Sequence, residues 1–538
     1  MKQPISAHMQ KRLVALFFLF LTVLGLCLGG GYGVPWDEKN QQVTLKSNLY
    51  EYGLILLGED NSWIRYAHEM GTIPISKSVE RDHGSALFYP MAFIYFIEDA
   101  HLVMLIWHTY VWLLFMLGVI AIYIIMREIG LPRMLSCMAS LLLYLSPRFF
   151  AEGHYNNKDV LLLSLALCIF AFAARLSRDR RFLWVLLYSL FGAVTANLKI
   201  IGFFAWGLAG IAVLWRWILD KSFGKRDIRL IAAGVGIFLA AYFVITPALW
   251  RQPLELFQYL IDNMNHFSRW EGNVLFQGTV YHPANGESLP WYYLPKFILM
   301  TVPVAYLLLA LVGQICAIIM CVKGDRNRPI LITMTVFWIF PLVYAMLSSP
   351  LVYNGWRHFY FVNAGLVVMG GIGLWWFYRL TRKTRILKAT FALAAASVFV
   401  FQGASILINH PYQYAYYNVL AGNVQGQYEL DYWTLSSYNA LQKLATSTTR
   451  NQNLPLVFST TQMDFTSIDY PLQNNYDALP KELRDKMEYE SLSEDAPYLI
   501  YNTSYLSGND PTPPAGYTEL FSIVGYHQVL AVVYEKVS

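Results

Sequence analysis

The sequence predicts a multi-span α-helical membrane protein of about eleven transmembrane helices, with a small C-terminal α/β extracytoplasmic domain. Three observations predict it. Hydrophobic residues make up 56% of the 538 residues and charged residues only 14%, against about a quarter charged in a soluble domain. Apolar runs long enough for a bilayer core, roughly 20 residues each, recur from residue 12 to residue 408. Beyond 409 the composition becomes that of a soluble segment with short apolar runs. This pattern excludes an ordinary cytosolic enzyme, a disordered chain and a fibrous repeat. The net charge of +5 is modest and carries no nucleic-acid signal. The aromatic content of 16% suits a chain with many membrane–water interfaces.

The candidate spans are 12–31, 102–126, 134–150, 159–176, 182–198, 201–218, 229–248, 294–321, 330–347, 359–378 and 388–408, with the two flanking Lys199 poorly separated. Lys11 and Arg12 precede the first run, and no small-x-small cleavage site follows it, so it reads as a retained signal anchor. These spans form a membrane domain, 1–408, with external loops at 32–101 and 247–293. In the first loop, 40–57 has helical periodicity and 60–70 is a second, more polar piece; both read as amphipathic helices on the membrane surface. The apolar stretch 85–98 is too short to cross and reads as a re-entrant or interfacial helix. In the second loop, Pro253 in a first-turn position followed by Glu255 opens an interfacial helix over 253–270, and Trp291, Tyr292 and Tyr293 anchor the next span. The C-terminal domain, 409–538, holds a helix at 433–445 and strands at 455–460, 497–502, 519–524 and 527–535, the last two a hairpin across Gly525-Tyr526.

More than half of the 40 basic residues fall in alternate short connections, among them Lys2, Lys11, Arg12, Arg127, Arg133, Arg175, Arg178, Arg180, Arg181, Lys225, Arg226, Arg326, Arg328, Arg379 and Arg382. The positive-inside rule then puts the N-terminus in the cytoplasm and, with an odd number of spans, the C-terminal domain outside. The five cysteines lie in spans or at their ends, so the exposed loops have no disulfide framework.

Charge is scarce, so the external charges stand out. Asp37 and Glu38 are adjacent carboxylates just after the first span. They suit either the first turn of a helix or, with a raised pKa at a membrane cavity, a general base. The connection 146–159 concentrates Arg148, Glu152, His154, Lys158 and Asp159 between two spans; capping by Asn157 or Asp159 accounts for part of this, and ionisable groups at membrane edges tend to be functional. Arg357 and His358 precede the tenth span on the outside, where the positive-inside rule disfavours arginine. Headgroup snorkelling is one reading; a phosphate ligand is the other. Arg81 and His83 make a similar, weaker case, and Lys199 is a further cation for an anionic headgroup. Zinc-type Cys/His spacing, a P-loop and a serine-nucleophile motif are absent from the sequence.

With these residues in this order, the chain resembles a bacterial member of the GT-C-fold glycosyltransferases of the protein O-mannosyltransferase and aminoarabinose transferase type, glycosyltransferase family 39. Asp37 and Glu38 match that family's acidic pair in the first external loop, and Asp159 matches the acidic residue of the next one. The stretch 290–295 and the segment around His410, Asn418, Asp431 and Trp433 are similar to parts of bacterial members. Trp36, Lys39 and Asn40 differ from what many relatives carry around the pair. The resemblance implies a GT-C-like enzyme of the bacterial inner membrane that moves a hexosyl or pentosyl group from a polyprenyl-phosphate sugar to a lipid, glycan or protein hydroxyl on the external face, with inversion. It implies Asp37, Glu38 and Asp159 as catalytic residues; the placement of the external charges itself makes Arg357, His358, Lys199, Arg81, His83, Glu152 and Lys158 the candidates for binding substrate. No cofactor is required by the sequence; a divalent metal between Asp37 and Asp159 is compatible with it. The competing readings are a lipid or polysaccharide flippase, which would show internal repeats and midplane charges, and a surface-polysaccharide polymerase or ligase. The topology makes a direct prediction: alkaline phosphatase fused after residue 408 is active in a bacterial host, and fused after Gly224 it is inactive.

Overall fold

The computed structural model describes residues 6–221, 223–265, 270, 272–447, 455–462, 470–505 and 511–537. Lys2 and the 266–269 portion of the expected 253–270 helix lie outside the described residues. Among the described residues nine helices are long and apolar enough to cross a membrane: Ala7–Gly31, Ala100–Ile129, Asp159–Arg178, Ile201–Leu219, Lys225–Ile245, Val304–Val322, Arg328–Ser348, Arg357–Thr381 and Arg385–Ile408. Phe182–Leu198 is apolar but only 17 residues long, about 25 Å at 1.5 Å per residue. With the nine long apolar helices the chain is an integral membrane protein.

Two expected spans are broken, each at a proline. The span expected at 134–150 is a pair of helices, Arg133–Tyr144 and Pro147–Tyr155, bent by 72°. Pro147 forces Ser146 out of the helical region, to φ −83°, ψ 112°. The second piece occupies most of what the sequence suggested was a loop. The span expected at 294–321 divides into Tyr293–Thr301 and Val304–Val322 around Pro303. A proline has no N–H to offer the carbonyl four residues back, here Leu299. Asn418 from the C-terminal region fills the vacancy: its Nδ2 donates to the Leu299 and Val302 carbonyls, both at 2.7 Å.

Asp159–Arg178 is the axis of the bundle, buried on nearly every side by Ala100–Ile129, Phe182–Leu198 and Ile201–Leu219. Elsewhere helices approach through glycine. A Cβ at Gly313 would lie 1.7 Å from the Met369 carbonyl oxygen, and one at Gly373 2.1 Å from that of Leu309. Such small-residue contacts are how helices pack closely in a bilayer.

The helix ends sort onto two faces. On one, Arg175 and Arg178 meet Glu128 at 2.9 and 3.4 Å, Arg180 meets Asp227 at 3.3 Å, and Arg216 and Arg326 share Asp220, each at 3.1 Å. This basic face gathers the connections expected in the cytoplasm. The opposite, loop face carries Trp36–Leu57, Ser62–Glu69, the 3-10 segment Ala86–Phe96 and Pro253–Asn265. Buried Glu51 ties two of its loops together, accepting from the Ser76 N–H and hydroxyl at 3.1 and 2.7 Å and forming an ion pair with Arg251 at 3.1 Å.

The C-terminal region forms a five-stranded sheet in the spatial order Met487–Tyr489, Leu456–Ser459, Tyr498–Asn502, Gln528–Lys536, Tyr517–Gly525. The first three strands are parallel and the last two pair antiparallel. Met487–Tyr489, the helices Tyr470–Asp477 and Lys481–Arg484, and the hairpin Val274–Phe276/Thr279–Tyr281 of the second loop were not anticipated; three-residue strands and helices of one or two turns are too short to show a clear period. The anticipated hairpin turns at Tyr526-His527, one residue further on, both with positive φ (50° and 64°), as a two-residue hairpin turn of the right twist requires. Tyr526 donates its N–H to Asn409 at 3.1 Å and its ring packs on Tyr416, seating the sheet on the last membrane helix. Because overpacking a close helix contact costs about 1–3 kcal/mol, Gly373→Ala lowers the unfolding temperature in detergent, whereas Gly403→Ala, whose Cβ would meet nothing within 4 Å, leaves it unchanged.

Candidate functional site

Three helix starts converge on the loop face. Pro35, in an extended conformation, begins Trp36–Leu57, so Asp37 sits in its first turn. The Asn156 side chain accepts from the Lys158 and Asp159 N–H groups at 3.3 and 2.8 Å. Asn156 therefore caps Asp159–Arg178, and the Asp159 carboxylate is left for other partners. Asn354 and Gly355, both with positive φ (53° and 64°), turn the chain so that Arg357 opens the 3-10 turn leading into Asn363–Thr381.

Arg357 joins these elements. Its Nη1 lies 2.9 Å from Asp37 Oδ2 and 3.7 Å from Asp159 Oδ2. The other Asp159 oxygen takes Lys199 Nζ at 2.5 Å. Lys199 stands in an extended link between Phe182–Leu198 and Ile201–Leu219, which explains why the two spans looked fused in the sequence. Three aromatic rings surround the guanidinium, with Cζ 4.8 Å from the centroid of Tyr353 and 4.9 Å from those of Tyr432 and Trp433. Its Nη2 donates to the Tyr432 hydroxyl at 3.3 Å. Trp270 stacks on Tyr353 at 4.0 Å, and His358 meets the same ring edge-on at 4.6 Å. Arg357 is 4% exposed and Asp159 2%, while the Asp37 side chain keeps 27% of its surface open. The one carboxylate of the pair with an appreciable part of its surface open is Asp37.

Lys158 extends the cluster on its open side. Its Nζ is 3.7 Å from Glu80, which also meets His83 Nδ1 at 3.0 Å; Asp82 is 3.6 Å from the same His83 nitrogen. Gly84 allows this loop to lie on Asn197, because a Cβ there would fall 2.1 Å from the Asn197 amide oxygen. Burial opposes the charge on Lys158, but Glu80, Asp37, Asp82 and Asp159 outweigh it and hold its pKa above the ordinary lysine value.

The carboxylates are tuned in opposite directions. Burial acts to raise the Asp37 pKa, but Arg357 and Lys158 overcome it and the net value lies below the ordinary one. This corrects the raised pKa expected from the sequence: the arginine partner, invisible in the sequence, decides the sign. Glu429, by contrast, is pushed up to about 8 by burial, against the pull of Arg357 and of the Asn354 and Gly355 backbone.

Other candidates go elsewhere. Glu38 points away from Asp37, as adjacent helix residues do; it is buried and accepts from His108 Nε2 at 3.0 Å, so it joins the first loop to the helix Ala100–Ile129. Glu152 accepts from the Tyr360 hydroxyl at 2.6 Å and from Asn156 Nδ2 at 2.7 Å. It thus holds the residue that caps the Asp159 helix. Arg81 stacks on Tyr259 at 3.6 Å and donates to the Ser78 carbonyl. Among the described residues no group of three or more His, Cys, Asp and Glu side chains is arranged to hold a metal; at Asp37 and Asp159 the neighbouring positive charge is Arg357 and Lys199. Sequence reasoning missed Glu80, Tyr353, Asn156, Tyr432 and Trp433 as site residues. Tyr353 lies four positions before Arg357 and carries no charge to mark it.

The two shifts predict opposite pH behaviour in unfolding measurements. Asp37, with its folded pKa depressed, contributes stability above about 3.9, the unfolded carboxylate value, and loses it as pH falls through the lower folded pKa; Asp37→Asn is therefore less stable than the parent at pH 7, and the gap closes in acid. Glu429, raised to about 8, contributes stability below about 4.3 that is lost as pH rises through 8. Glu429→Gln therefore matches the parent in mild acid and is the more stable protein at pH 9.

No protein-family model matches the chain, and no curated protein matches it in sequence. The crystal structure of ArnT from Cupriavidus metallidurans in the apo state aligns over 97% of this chain and 98% of that one, with a TM-score of 0.50 and 11% sequence identity. The structure of ArnT from the same organism bound to undecaprenyl phosphate aligns over 98% of each chain, with a TM-score of 0.47 and 13% identity. The apo alignment runs from end to end, through the apolar spans and into the sheet-containing C-terminal region: this is an integral membrane protein of the GT-C fold.

Proposed function

We propose that the chain is an inverting glycosyltransferase that moves a sugar from a polyprenyl-phosphate donor to an acceptor hydroxyl on the loop face of a bacterial inner membrane, with the basic face and the N-terminus in the cytoplasm. The observation that carries this reading is Arg357, held between a buried carboxylate, Asp159, and a partly open one, Asp37. A cation suited to phosphate and a carboxylate suited to a proton lie side by side, as glycosyl transfer from a sugar phosphate demands.

In this mechanism the donor's lipid lies among the helices and its phosphate draws on Arg357 and Lys199. The acceptor hydroxyl gives its proton to Asp37 while its oxygen forms the new bond to the anomeric carbon. The bond from that carbon to the phosphate oxygen breaks through an oxocarbenium-like transition state, and the phosphate leaves with the added negative charge. Arg357 and Lys199 stabilise that charge where it develops. The low pKa of Asp37 is a property of its pairing with Arg357. As the phosphate takes a share of Arg357, Asp37 loses part of that stabilisation and its proton affinity rises, so the base strengthens when the donor is in place. Asp159 orients both cations, and Glu152 acts through Asn156. Glu38, turned to His108, has a positioning role. The acceptor is a lipid, glycan or protein hydroxyl.

Purified protein given radiolabelled polyprenyl-phosphate sugars and acceptor extracts tests the reading. Asp37→Asn is expected to lower transfer by about 10²–10⁴-fold with donor binding retained, and Arg357→Gln to lower kcat by roughly 10²–10³-fold. Full activity of Asp37→Asn removes it as the base. Donor that crosses reconstituted vesicles without covalent transfer makes the protein a flippase instead.

A further inference from the structure

The C-terminal region reaches into this site, and the way it does so assigns a role to Tyr432. Arg357 spends one edge of its guanidinium, through Nη1, on Asp37 and Asp159. The other edge, Nε with Nη2, is the side-on fork that matches two oxygens of a phosphate. On that edge Nε is buried with no hydrogen-bond partner among the described residues, and Nη2 has only the Tyr432 hydroxyl, at 3.3 Å. A buried charged donor left unpaired is costly, so Nε points to a ligand. The Tyr432 oxygen accepts from Arg357, while its own proton meets no acceptor among the described residues. A hydroxyl beside a cationic edge that has no other hydrogen-bond partner among the described residues is a donor for the same anion.

The segment is held rigidly enough for this. Asp431, the preceding residue, is buried and accepts from the Leu435 and Ser436 N–H groups at 3.1 and 2.9 Å and from Asn502 at 2.8 Å. These bonds tie it to the start of Ser436–Ser447 and to the strand Tyr498–Asn502. Upstream, the Glu429 carbonyl accepts from the Tyr417 hydroxyl at 2.7 Å. Trp433 supplies a ring face to Arg357 at 4.9 Å. Tyr432 is therefore set in place before any substrate arrives, which is what makes such a donor effective.

We infer that Tyr432 is a ligand of the donor's phosphate, binding it together with the Nε/Nη2 edge of Arg357, so that the C-terminal region completes the site. The inference rests on the reading of Arg357 as a phosphate ligand. The test uses the full chain in detergent, titrated calorimetrically with a short-chain polyprenyl phosphate and with the neutral polyprenol of the same length. Tyr432→Phe keeps the ring and removes only the hydroxyl. The expected result is a loss of about tenfold or more in affinity for the phosphate, with polyprenol binding and unfolding temperature unchanged, and a fall in kcat beyond the rise in KM. Wild-type phosphate affinity in Tyr432→Phe overturns the inference. Arg357→Gln, run in parallel, separates the two readings. If it loses phosphate binding while Tyr432→Phe does not, only the role of Tyr432 falls; if it too binds as the parent does, the proposed function falls with it.

Discussion

Arg357 holds a full positive charge where little water reaches it, and much of the loop face is arranged around that fact. Desolvating a guanidinium costs several kcal/mol, and only close, well-directed partners repay it. Here they are Asp37 at 2.9 Å, Asp159 at 3.7 Å and three ring faces within 5 Å. Because those partners begin different elements, satisfying one cation fixes the start of Trp36–Leu57, the start of Asp159–Arg178 and the entry to the tenth predicted span together. Losing any member leaves the rest of a buried charge set uncompensated.

The same constraint organises the other acids of that face. Glu38 has His108, Glu51 has Ser76 and Arg251, and Glu152 has Tyr360 and Asn156. Each is buried, and each joins two stretches far apart in the chain. Glu429 is the contrast: burial raises its pKa to about 8 and keeps it protonated near neutral pH, so it sits close to Arg357 without competing as an anion with Asp37. On the basic face some pairs are more open, with Arg175 and Arg178 each 42% exposed beside Glu128. Exposed pairs of that kind contribute little to stability and suit a role in orienting helices.

Proline breaks and the C-terminal region belong to one arrangement. Pro147 turns the chain so that Glu152 and Asn156 lie under the Asp159 helix, and Pro303 opens a carbonyl that Asn418 fills. The tail of the chain is thereby docked on the membrane helices before it delivers Tyr432 and Trp433 to Arg357. A polar residue following the last span satisfies a defect more than a hundred positions earlier, which makes the two halves interdependent.

By itself the sequence determined the membrane character, the position of each apolar run and the two-faced distribution of charge, and it singled out Asp37, Asp159, Lys199 and Arg357, which the fold brings into contact. These are legible because transfer from water to lipid acts on each segment independently of the others, so scarce charges mark themselves. Only the tertiary structure decided that Asp37 has a depressed pKa, that Glu38 serves His108, that Asn156 caps the helix that Asp159 opens, and that the Tyr432 hydroxyl accepts from Arg357. Those outcomes depend on which distant side chain arrives within a few ångströms. Neither spacing nor hydropathy encodes that, because electrostatics at such range is a property of packing.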